Sequence, residues 1–328
     1  MKKIKIAGLV LLAPLALLCA CGGTPALAIS ANWYSDPALT DNSTSDKPET
    51  LEYKVEFVKP AGGSANAFTV DYETGTYRTI LKSERRQLSD GTNETVYVYS
   101  TELAISGYYS MGDKKSEVFQ DKVTTEAVFR NVNKQLAPIS TKREVACTSP
   151  RQLAPETLED GYRSYHYVYE TSYDLELTKA KAAYTDLKAE NPSPAEQELP
   201  LGKGATYLDN EQILFALRGV NLASIVNLRS INPVERQVQP LATSNPASTT
   251  VELNDATIGG IKGKYTVDAY KVDLSYQSSH PGATQTLWYA KPNSPNTYRG
   301  ALLSMEAPVM YGLGTLRYTL VSADFTDK

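Results

Sequence analysis

The sequence predicts a mainly β fold: one strongly curved antiparallel sheet, a half-barrel or open barrel, with a single buried helix on its concave face. Three observations point there. The 328 residues include 22 Tyr against 6 Phe and 2 Trp, which with abundant Thr and Val suits sheets with one wet face. Segment after segment alternates apolar and polar residues with period two, as half-buried strands do. One stretch breaks that period: between Tyr207 and Gly219 the residues Ile213 to Leu217 are apolar around nearly the whole circumference, which a surface helix cannot tolerate.

The helix carries its own start and stop signals. Asp209 can cap the first turn while Gln212, three residues on, reaches back to complete a capping box, and Leu208 can staple against Ile213. Arg218 lies in the last turn, where a cation suits the dipole, and Gly219 is expected to supply the left-handed residue that ends a helix. Isolated helices below roughly 12 to 15 residues are marginal, so a helix this short must be wrapped by the sheet. Leu217 is expected in the core. Phe215, roughly opposite it, and Leu214 are the helix candidates for a ligand-cavity wall.

The strands follow in order. Leu51, Tyr53, Val55 and Phe57 alternate with Glu52, Lys54 and Glu56 before Pro60 to Gly63 breaks the run. Further strands are expected at 67–72, 76–87, 94–109, 116–131, 138–146 and 163–177, with Asp90 and Gly91 as a hairpin turn. Residues 179–190 fit helix or strand, and Asn191 to Pro194 marks a surface loop. After the helix come extended segments at 225–231, 249–253, 264–276, 284–290, 298–307 and 315–324. Many antiparallel strands around one helix give a curved sheet as the economical architecture.

The N-terminus stands apart. Lys2, Lys3 and Lys5 precede an apolar run from Ile6 to Leu18 that stops at Leu18, Cys19, Ala20 and Cys21, a pattern that resembles a bacterial lipoprotein signal with Cys21 as the lipidated residue. The alternative is an ordinary secretory peptide cleaved near Ala26 or Ala28. The run is short of the about 20 residues of a comfortable transmembrane helix. This divides the chain into a signal at 1–20, a polar tether at 21–50 and one β-rich domain at 51–328. Trp33 and Tyr34 interrupt the tether and would dock on the domain or touch the membrane interface. Without the signal the charge is 30 positive against 37 negative, or −7, which speaks against nucleic acid. Cys147 then has no disulfide partner, so the fold depends on its core.

The order of elements resembles the half-barrel envelope proteins, which include lipoprotein carriers of the Lol type, periplasmic stress sensors and relatives of unknown function. The runs Phe129 to Pro138 and Asp209 to Arg218 carry that resemblance, with Thr286 to Tyr289 and Gly314 to Tyr318. It implies a fold and no functional residue.

Signatures of catalysis are sparse. The two histidines, His166 and His280, have no acidic or cysteine ligand at motif spacing, and no Gly-x-Ser-x-Gly elbow is present. Gly259 to Lys264 is one residue short of a phosphate loop, and Tyr265 stands where the loop needs a hydroxyl for magnesium; a turn is expected. Asp71 and Glu73 share a strand face, as acidic residues on wet strands commonly do. No cofactor or metal is implied. The most suggestive constellation is aromatic: Tyr165, Tyr167, Tyr169 and Tyr173 share one face of a strand, and Tyr97 and Tyr99 another. Such rows can line an apolar pocket or simply stabilise a sheet, at about 0.2 to 1 kcal/mol per cross-strand pair.

The expectation is therefore a non-catalytic protein of the cell envelope, held on the extracytoplasmic side of a membrane by lipid on Cys21. It would bind an apolar ligand, a lipid or an envelope partner in its concave sheet, with Phe215, Leu214, Tyr165, Tyr167 and Tyr169 as candidate contacts. A structural or sensory lipoprotein without a small ligand is the second reading, and an envelope hydrolase the third.

Overall fold

The structure, a computed structural model, describes residues 49–61, 68–132, 135–202, 205–219, 228–232, 237–276, 284–291 and 300–324. The expected signal segment, Cys21, Trp33, Tyr34 and His280 lie outside the described residues. The first strands are β1 (Glu49–Val58), β2 (Phe68–Tyr72), β3 (Gly75–Gln87), β4 (Asn93–Met111), β5 (Lys114–Lys115), β6 (Phe119–Val132) and β7 (Gln135–Pro150). Next come β8 (Tyr162–Tyr173), β9 (Lys179–Asp186), β10 (Ala195–Pro200) and β11 (Thr206–Tyr207). After the helical segment follow β12 (Leu228–Asn232), β13 (Gln237–Thr243), β14 (Ala247–Ile258), β15 (Ile261–Tyr276), β16 (Gln285–Ala290), β17 (Leu302–Val309) and β18 (Gly314–Asp324).

Two structures are fused along β18. On one side β14, β15, β16, β17 and β18 pair in a ring, closed where Thr257 and Ile258 of β14 run parallel to Ser322 and Ala323 of β18. On the other side β1 leaves the ring, and a long antiparallel sheet continues in the order β1, β3, β4, β6, β7, β8, β9, β10. This sheet curves so that its inner face meets the ring across the helix. β13 extends the ring by pairing with the end of β15 and carries β12 and, in parallel, β11. The expected curved sheet is present, and part of it closes into a five-stranded barrel.

The period-two pattern sets the faces. Leu51, Tyr53 and Val55 of β1 are buried while Glu52 and Lys54 are exposed. The two-residue turn joining β14 to β15 is Gly259 and Gly260, with φ of 57° and 81°, the primed geometry that glycine adopts without strain. The expected turn is thus present at Gly259 and Gly260, and it joins a hairpin whose second strand has begun by Ile261. β1 opens at Glu49, two residues inside the segment assigned to the tether. Of residues 179–190, Lys179–Asp186 form a strand, in which Tyr184 pairs with Tyr169 and places its ring against Tyr167, and the rest turn. β10 and β13, with the two-residue strands β5 and β11, lie where the sequence predicts no strand. β13 contains Pro240, which argues against a strand; it is tolerated because β12 is its only ladder neighbour at that position, β15 engaging only Leu241 to Thr243.

The helical segment winds as a tight turn Asn210–Gln212, a single α turn α1 (Ile213–Ala216) and a second tight turn Leu217–Gly219. The capping box forms: Asp209 accepts from the Glu211 amide at 2.9 Å, and the Asp209 amide donates to Gln212 Oε1 at 3.1 Å. Ile213, Phe215, Ala216 and Leu217 share one core with Leu51, Tyr53 and Leu81 of the long sheet and with Leu253, Leu287 and Leu303 of the ring. The helix therefore fills the space between the sheet's concave face and the barrel.

Candidate functional site

Inward positions of neighbouring strands line up in rows across the concave face. One row runs Thr79, Thr101, Thr125, Arg143, Tyr169, Tyr184. Thr101 and Thr125 join their hydroxyls at 2.6 Å. Arg143 is a cation at an inward position of β7, between the buried Thr141 and Val145. Its Nη1 donates to Glu211 Oε1 at 2.7 Å, and Asn210 Nδ2 donates to the same oxygen at 2.6 Å. Burial works to lower the Arg143 pKa, and the charge and hydrogen bond of Glu211 more than reverse it.

That ion pair forms the polar wall of a cavity of about 190 Å³ between the concave sheet, the start of the helix and the barrel. Tyr77, Ile213, Leu214, Leu241 and Leu274 provide its apolar surface; Thr101, Asn210, Ser275 and Gln285 join the ion pair on the polar side. The volume is of the order of the roughly 150 Å³ engineered cavity that takes up benzene, so one chain or ring fits and a whole diacyl lipid does not.

Of the candidate ligand contacts, the structure brings Leu214 to this cavity and leaves the other four outside its lining. Phe215 is fully buried, its ring 5.4 Å from Tyr99 and 5.1 Å from Phe129, with the Arg218 guanidinium 5.5 Å over it. It is a core residue, and the expectation that it forms the cavity wall is corrected. A segment apolar on every side gives no phase, and the winding of tight, α and tight turns decides which residue meets the gap. Tyr169 is buried in a separate apolar cluster with Ala180, Leu199, Leu201, Tyr207 and Ile231. Tyr167 lies between Tyr165, at 5.8 Å, and Tyr184, at 5.2 Å. The tyrosine row thus works as cross-strand packing, and Tyr173 adds a hydrogen bond from its hydroxyl to Asp209 at 2.6 Å.

Arg143 and Glu211 escaped the sequence reading, although one signal was there. In Thr141 to Val145 the residues alternate between faces, and the arginine falls on the buried phase. Glu211 could not be found that way, since only the fold places the helix start against β7.

Two carboxyls outside the cavity lining are buried and have raised pKa values. Burial raises Asp209 to about 6, hydrogen bonds from Tyr173 and the Glu211 amide opposing it. Burial likewise raises Asp121 to about 6, opposed by the Thr148 amide and the Tyr72 hydroxyl. A carboxyl that binds its proton more tightly folded than unfolded contributes stability below its unfolded pKa and loses that contribution as pH rises through the folded value. Stability should therefore be higher at pH 5 than at pH 7.5, by about 1 kcal/mol for each carboxyl. Denaturant titrations at the two pH values check this. Asp209→Asn, which can still cap, should remove one share and Asp121→Asn the other; a fall in stability from pH 7.5 to pH 5 would refute the assignment.

Among the described residues no cluster of His, Cys, Asp and Glu could hold a metal. Burial pushes the Cys147 thiol up to about 12, which leaves it protonated and a weak nucleophile at neutral pH. His166 pairs with Glu144 at 2.8 Å on strands β8 and β7. No helix among the described residues is long and apolar enough to cross a membrane.

No protein-family model matches the chain, and no curated protein matches it. Among solved structures it is similar to a β-barrel-like protein of Domain of Unknown Function DUF1849 from Brucella abortus. That likeness has 12% sequence identity and a TM-score of 0.47, over 86% of this chain and 98% of that one.

Proposed function

We propose that the chain is a lipid-anchored, non-catalytic protein of the cell envelope that holds the apolar part of a ligand in the cavity beside its helix. The observation that carries the reading is the cavity itself. Leu214 of the helix and Leu241 and Leu274 of the paired strands β13 and β15 line it together with polar residues, the composition of a small-ligand site. The lipoprotein-like pattern ending at Cys21 supports the anchor, with lipid on Cys21 holding the domain at a membrane. The reading is in keeping with the resemblance to half-barrel envelope proteins, among them lipoprotein carriers of the Lol type.

Two readouts test it. Cys21→Ser should move the protein from the membrane fraction to the soluble fraction or leave an unprocessed precursor; wild-type fractionation and migration would remove the anchor. Native mass spectrometry of the gently purified protein should show a bound apolar molecule, and Leu214→Trp, which fills the cavity, should abolish it. A clean apo mass that also takes up no added apolar fluorophore would favour a structural or sensory lipoprotein instead.

A further inference from the structure

Of the large apolar side chains among the described residues, Ile261 is the most exposed, at 70%. It opens β15 directly after the Gly259–Gly260 turn and pairs with Ile258, which is buried. Residues paired in this way share one face of the ladder. Ile261 therefore stands on the side that forms the core, past the buried end of that core. Lys262, beside it, is exposed. An isoleucine in water at a hairpin tip with a cation alongside suits a bilayer, which offers hydrocarbon to the one and headgroup phosphate to the other.

The register fixes which end of the domain carries this tip. Thr50 of β1 pairs with Asp324, Ile258 pairs with Ala323, and the Gly259 amide donates to the Ala323 carbonyl at 2.9 Å. The tip thus lies where β1 begins, and there the 27 residues between Cys21 and Glu49 join the domain. As the polar tether that the sequence predicts, a chain of that length reaches about 30 Å on average. The exposed turn Met310–Gly312 stands at the far end, where Val309 pairs with Gly314 and Val58 with Thr315. The 11 residues of β18 separate the two ends by about 36 Å. A lipid on Cys21 would therefore hold the Ile261 end toward the bilayer and leave the Met310 end away from it. The β3–β4 hairpin also points toward the tether, since Leu81 pairs with Glu49 and β3 runs on to Gln87. Its tip, Asp90 to Asn93, is exposed and polar, which fits headgroups and not hydrocarbon.

We infer that the β14–β15 hairpin is a membrane-contacting tip, with Ile261 seated below the headgroups of the bilayer that holds the lipid on Cys21. This rests on the proposed anchor and adds the orientation of the domain, with the Ile261 end toward the bilayer and the Met310 turn away from it.

The test places one nitrobenzoxadiazole label at a time on the purified, lipidated full chain, in a Cys147→Ser background. The labelled sites are Ile261→Cys, Met310→Cys and Thr92→Cys, and each protein is reconstituted into dioleoylphosphatidylcholine vesicles with and without a lipid carrying a nitroxide on its acyl chain. Emission from position 261 should shift to the blue and be mostly lost to the nitroxide lipid, while positions 92 and 310 should emit as in water. The dye is itself apolar, and position 310, 56% exposed, controls for its own pull toward the bilayer. A label at Lys262→Cys should likewise be quenched, and Ile261→Asp, which keeps the lipid on Cys21, should return it to water; circular dichroism confirms that each variant is folded. A label at 261 that stays in water on vesicle-bound protein would overturn the inference and leave the anchor standing, as would one at 92 or 310 quenched as strongly. If mass spectrometry finds no lipid on Cys21 and the protein stays off the vesicles, the anchor and the inference fail together.

Discussion

Glu49→Ala should destabilise the domain by about 3 to 5 kcal/mol, the cost of leaving one partner of a buried ion pair alone. Glu49 and Arg218 have side chains only 2% and 3% exposed, joined through two contacts, Nη1 to Oε1 at 2.5 Å and Nη2 to Oε2 at 3.1 Å. The pair spans from the first residue of β1 to the last turn of the helix. Removing the carboxylate leaves a guanidinium that can neither reach water nor lose its proton. Replacing both partners by apolar residues, Glu49→Leu with Arg218→Met, should recover most of the loss, because desolvating two charges consumes much of what their attraction contributes. Urea titrations of the two single variants and the double variant measure the coupling. A single variant within about 1 kcal/mol of wild type would mean that the pair is solvated and the helix end is not buried as described.

Phe215→Ala should cost about 3 to 5 kcal/mol, while Leu214→Ala, next to it, should cost about 1 kcal/mol. Phe215 is enclosed by Tyr99, Phe129 and the Arg218 guanidinium, so truncating it opens a void in a close-packed core and loses two ring contacts. Leu214 is half-buried and already faces the cavity; truncating it enlarges a space that exists and should weaken uptake of an apolar probe. Denaturant melts and fluorophore binding on the same two variants separate these roles. If Leu214→Ala proves the more costly for stability, the cavity has been placed on the wrong side of the helix.

The sequence by itself determined the class of fold and the capped start of the helix, whereas Gly219 closes the second tight turn and is not among the glycines of positive φ. Period-two alternation in Leu51 to Phe57 and its counterparts specifies which face is buried, because a one-residue slip would turn every side chain over. The capping pattern of Asp209 and Gln212 is local, involving groups three residues apart, and it formed as read. Glycines at 259 and 260 mark a hairpin for the same reason, since the turn's backbone demand is met within two residues. Only the tertiary structure decided how much of the sheet closes: two backbone pairs between β14 and β18, some 65 residues apart in the chain, complete the ring, and no local pattern encodes them. It also decided that Phe215 is core and Leu214 is cavity wall, that the tyrosine row of β8 packs instead of lining a site, and that Glu211 meets Arg143 across 68 residues. Local interactions act between neighbours in sequence and can be read there. The cavity and its charge pair come from chain segments that meet only once the sheet has curved around the helix.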